Sequence, residues 1–119
     1  MTRPSLPPDD LPPLQETQQD RMLYRQLESY AGKSFYEACD GVTQALLVKC
    51  EWFITTVAIA PTLIINCPDM HTNRRILNHI GAIATYLEQQ LSSQARIRVC
   101  PPEEMGEPIE IRVDEIGIY

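Results

Sequence analysis

The chain has 119 residues, 44% apolar and 22% charged. That is ordinary globular usage and enough chain to bury a core without disulfide or metal staples, which excludes collagen, coiled coil and wholesale disorder. Sixteen acids stand against ten Lys and Arg, a net charge of −6, which disfavours binding to nucleic acid or to an anionic membrane.

Residues 1–16 are rich in proline and poor in bulky apolar side chains. Such a segment cannot offset its own ordering entropy, so it reads as a flexible proline-rich arm, with residues 17–119 forming a single α+β domain. Nothing in the start MTRPSLPPDDLPP resembles the apolar core of a signal peptide. The expectation is a cytoplasmic protein with reduced thiols.

Helical spacing begins near Thr17. Leu23, Leu27 and Tyr30 share a face, and Gly32 reads as a stop. Ser34 followed by Glu37 reads as a capping box that starts a second, shorter helix from Phe35 to about Ala45. The period then changes to two. Val48, Cys50, Trp52 and Ile54 alternate with Lys49, Glu51, Phe53 and Thr55, the pattern of a strand. Both Trp52 and Phe53 read as core. A second strand covers Thr62 to Cys67. No charged residue occurs between Trp52 and Pro68, but Pro61 divides that stretch into two runs of strand length, so no membrane insertion is expected.

From Thr72 to Leu91 the apolar positions Ile76, Ile80, Ile83, Leu87 and Leu91 form one stripe, which predicts a single long helix with His79 on its exposed face. Two strands follow. In the first, Ile97 and Val99 face inward and Arg96 and Arg98 outward. In the second, running from Pro108 to Ile116, Ile109, Ile111 and Val113 face inward. An antiparallel hairpin sets those arginines beside outward acids such as Glu110. The fold class is α+β: a two-layer sandwich with a four-stranded, mostly antiparallel sheet, one long and two shorter helices, and the order ααββαββ. A parallel pairing of Thr62–Cys67 with Ala95–Cys100 makes the sheet mixed.

Chemistry is sparse. The four cysteines, Cys39, Cys50, Cys67 and Cys100, contain no C-x-x-C pair, so neither a zinc site nor any other cofactor is expected. The densest constellation runs from Cys67 through His71 to Arg74 and Arg75, where a strand gives way to a helix. A helix N-terminus attracts anions and lowers thiol pKa. That marks His71, Arg74 and Arg75 as candidate anion ligands and Cys67 as a candidate reactive thiol. It is not the phosphate loop of the cysteine-dependent phosphatases, because six residues rather than five separate Cys67 from Arg74 and the loop holds no glycine.

The function expected is that of a small non-enzymatic accessory or regulatory protein, binding another protein or a second copy of itself. The alternative is a small-molecule or anion-binding domain, enzymatic or not, centred on Cys67 to Arg75.

Overall fold

The computed structural model describes residues 18–56 and 60–116. The expected arm at 1–16 lies outside them. The elements run α1 (Gln18–Ala38), α2 (Gly41–Leu47), β1 (Glu51–Thr55), β2 (Thr62–Asn66), α3 (Met70–Asn78), α4 (Ile80–Gln90), β3 (Arg96–Cys100), β4 (Ile109–Arg112) and α5 (Val113–Ile116). This is an α+β fold with five helices and a four-stranded mixed sheet, in the order β1-β2-β3-β4.

β1 and β2 pair antiparallel, β2 and β3 parallel, and β3 and β4 antiparallel. The connection between the parallel strands is the α3–α4 unit, as a parallel pair requires a long crossover. One sheet face is fully buried: Ile54, Leu63, Ile65, Ile97 and Val99 meet Phe35, Leu47, Ile76, Ile83 and Leu87 in one core. The alternate residues form rows across the other face, and Phe53, Ile64, Arg98 and Glu110 lie in one register line.

Three helical expectations are corrected. α1 does not stop at Gly32 but runs to Ala38. Phe35 and Tyr36 pack on Trp52, at ring-centroid distances of 5.8 and 6.0 Å. Burial of those rings outweighs the ~1 kcal/mol that a mid-helix glycine costs. The Ser34–Glu37 capping box therefore does not form, and Ser34 Oγ donates instead to Gln90 Oε1 of α4 at 2.8 Å. The break falls at Asp40, whose carboxylate caps α2 by accepting from the Thr43 amide at 2.8 Å.

The long helix is likewise two helices. His79 leaves helical geometry (φ −108°, ψ 13°) between α3 and α4. It is half-buried rather than exposed, and its Nε2 lies 2.9 Å from Oγ1 of the fully buried Thr43. Ile76 and Ile83 are buried as the stripe demands, and Ile80 is half-buried. Finally, β4 ends at Arg112. The chain makes one more rung, from the Val113 amide to the Ala95 carbonyl at 3.0 Å, and turns into α5, while Ile109 stays exposed.

Candidate protein-binding surface

The turn from Cys67 to Arg75 carries the most chemistry in the sequence, and its helix cap and its thiol are engaged within the chain. Asp69 caps α3, its Oδ1 accepting from the Thr72 amide at 2.7 Å. That bond holds the Asp69 carboxyl below the usual range, so the helix N-terminus already carries an anion of its own. His71, Arg74 and Arg75 are exposed on the first turns of α3. Asn73, between them in sequence, is buried, and its Oδ1 has no partner among the described residues; an acceptor there does not suit an anion.

Cys67 is buried beside Cys50, whose thiol donates to the Leu46 carbonyl at 3.6 Å. Burial pushes the Cys67 thiol up to about 12, so it is protonated at neutral pH and is no ready nucleophile. Burial likewise raises Cys39 to about 11. Among the described residues no group of three or more His, Cys, Asp and Glu is placed to hold a metal ion. The Thr43–His79 pair has a carboxylate nearby in Asp40, but Thr43 has no exposed surface and reaches no substrate.

Among the described residues, apolar surface lies open on α1 and in a groove between α1 and β1. Every residue from Gln18 to Leu27 is exposed, so the first half of α1 overhangs the core. That overhang still carries the apolar i, i+4, i+7 stripe of Leu23, Leu27 and Tyr30, which are 53%, 52% and 73% exposed. Exposed Met22 and Tyr24 widen it. A helical segment this short is marginal in water without tertiary packing.

At 100° per residue, Gly32 and Tyr36 lie on the side of α1 roughly opposite the stripe. They form one wall of an apolar groove of about 570 Å³. The other wall is β1, through Trp52, Phe53 and Ile54, with Val48 at its start. Trp52 is half-buried under Tyr36, the two rings stacked at 16°. Phe53 faces away from the core and is 50% exposed, which corrects its expected place inside.

The groove also borders the outer edge of the sheet. The Arg96 amide bonds the Pro61 carbonyl and the Cys67 amide the Cys100 carbonyl, both at 2.9 Å. Odd-numbered residues of β2 therefore face β3, and Thr62, Ile64 and Asn66 face β1. Their partners are Thr55, Phe53 and Glu51. That leaves the backbone groups of Trp52 and Ile54 on the outer side of the sheet. This edge is largely covered: Ile54 is 2% exposed, and Glu28 of α1 accepts from the Thr56 amide at 2.7 Å and from its hydroxyl at 3.1 Å.

Sequence reasoning did not single out α1. The spacing of Leu23, Leu27 and Tyr30 was legible, but an apolar stripe announces burial, not what covers it. Comparison with protein-family models, curated proteins and solved structures finds no match, so the functional reading rests on this surface alone.

Proposed function

We propose that the protein is a non-enzymatic accessory or regulatory protein that binds another protein through the overhanging half of α1. The observation that carries this reading is the exposure of the whole segment from Gln18 to Leu27 although it bears a core-like stripe. An amphipathic helix whose apolar face finds no partner among the described residues suits an apolar groove on another protein, read through anchors at i, i+4 and i+7. The arrangement proposed for the fold is a two-layer sandwich with the helices on the face of Ile54, Leu63 and Val99. In that arrangement the protein presents α1 from a rigid base in the cytoplasm. No helix among the described residues is long and apolar enough to cross a membrane.

The test is affinity capture from native cytosol with the wild-type chain and with Leu23→Glu/Leu27→Glu. Both positions are solvent-exposed, so the variant keeps its stability within roughly 0.5 kcal/mol. The expected result is a partner retained by the wild type and lost by the variant. Identical captures overturn the reading.

A further inference from the structure

The groove between α1 and β1 takes one particular occupant. We infer that the chain's own residues 7–13, PPDDLPP, fill it, laid back along α1 from the start of that helix. This segment lies outside the described residues. The groove is on the side of α1 away from the Leu23–Leu27–Tyr30 stripe, so the inference stands or falls apart from the proposed function.

The side chains of the groove select a proline-rich occupant. Tyr36, Trp52 and Phe53 line it, and Phe53 is 50% exposed. Aromatic-lined grooves receive proline-rich segments, because a polyproline II helix lays its rings on the aromatic faces and has little conformational entropy left to lose. Residues 7–13 hold four of the chain's ten prolines and one leucine.

The charges select an acidic one. Arg25, Glu28 and Lys33 are the charged residues that border the groove. Glu28 is already engaged, accepting from the Thr56 amide and hydroxyl. Arg25 and Lys33 are exposed and have no ion pair among the described residues. Two cations therefore stand beside an apolar floor with no acid opposite them. Residues 7–13 bring Asp9 and Asp10 and no cation.

Length sets the register. Arg25 lies ~10 Å along α1 from Gln18. Pro13 is five residues before Gln18, and five residues of extended chain span up to ~17 Å, enough to double back and set Pro13 beside Arg25. Four residues of polyproline II then carry the chain ~12 Å further, to Asp9. The eight residues of helix from Arg25 to Lys33 rise the same ~12 Å. Asp9 and Asp10 thus come to lie against Lys33, and Leu11 and Pro12 over the aromatic floor between the two cations. So short a tether holds the segment at millimolar effective concentration, which lets a weak contact keep it in place.

The experiment uses the full chain and reads Trp52, its only tryptophan, from within the groove. Asp9→Lys/Asp10→Lys sets like charges against Lys33 and should displace the segment. Trp52 should then lose shielding, read as a higher acrylamide quenching constant and a red-shifted emission. Adding Lys33→Glu to that variant should restore most of the shielding, which a general loosening of the fold would not do. None of the three positions belongs to the buried core, so the variants keep the fold. A water-soluble carbodiimide, which joins a carboxylate to an amine as an amide with loss of water, should link Lys33 to Asp9 or Asp10 within a single 13.5 kDa chain. Equal quenching in the wild type and in Asp9→Lys/Asp10→Lys overturns the inference and leaves the groove open to a peptide of another protein. A link found only between two chains also overturns it, since the segment then fills the groove of a second copy.

Discussion

The two edges of the sheet are treated in opposite ways. β4 is guarded. Its outward residues are Glu110 and Arg112, since Ile109 and Ile111 face β3 in the ladder. Glu110 pairs with Arg96 and Arg98 at 3.3 and 3.4 Å, Arg112 grips Asp114 through Nε at 3.1 Å, and the outward Arg112 amide donates to Glu115 Oε1 at 3.4 Å. The strand is four residues long and the chain then turns into α5. Charge, brevity and a capped amide are the usual means of keeping a strand edge from pairing with another chain. β1 relies on cover instead. Ile54 is 2% exposed, and Glu28 of α1 accepts from the Thr56 amide just past the strand. One edge is kept apart by charge and a turn, the other by packing against α1.

The two edges also differ in what their side chains contribute to the fold, and the largest expected effect measures that. Ile54 on β1 is buried, with 2% exposure, whereas Ile109 on β4 is 44% exposed. Ile54→Ala should cost about 2–5 kcal/mol in chemical denaturation, as deletions from a packed core do. Ile109→Ala should stay within roughly 0.5 kcal/mol. Equal costs would mean that both strands are equally part of the core, and the contrast between the edges would narrow to their backbones.

A smaller effect is expected from removing the guard. Glu110→Val/Arg112→Val turns the outward side of β4 apolar. If the charges are what keep this edge single, light scattering should show concentration-dependent association beyond the mass of the wild type. An unguarded apolar strand edge is a template for pairing with another copy. A variant that keeps the wild-type mass would show that shortness and α5 suffice, and that the charges are incidental.

The smallest effect separates specificity from stability. Glu110 and its two arginines are each well exposed, with side-chain exposures of 38–46%. Water screens such pairs, so Glu110→Ala should lower stability by at most ~1 kcal/mol. A larger loss would make the Arg96–Glu110–Arg98 cluster part of what holds β3 to β4, not merely a guard on the edge.

Much of the fold was legible in the sequence. Period-two alternation located β1, β3 and β4, an apolar run of strand length bounded by prolines located β2, and the hydrophobic spacing of Ile76, Ile83 and Leu87 located the helical crossover, because burial of one face writes its period directly into the residues. The pairing of Arg96 and Arg98 with Glu110 followed from the same alternation. Helix ends were less legible. Gly32 and the Ser34–Glu37 pair carry local signals for a stop and a start, and both were overridden when Phe35 and Tyr36 found Trp52, more than a dozen residues away. His79 broke the long stripe for a similar reason, since its ring is engaged by Thr43 of α2.

The candidate site was the least legible part. Residue types mark where chemistry is available, and on that ground the turn from Cys67 to Arg75 stood out. Whether such chemistry is free for a ligand depends on what the neighbours have already taken. Asp69 occupies the α3 N-terminus, and burial holds the Cys67 thiol protonated. Conversely, Leu23, Leu27, Tyr30 and Phe53 look in sequence like any other core residues. By itself the sequence determined which residues seek burial and with what period, because those are local properties of the chain. Only the tertiary structure decided which of them found it, because covering a side chain takes partners from distant segments, and for the overhang of α1 the described residues supply none.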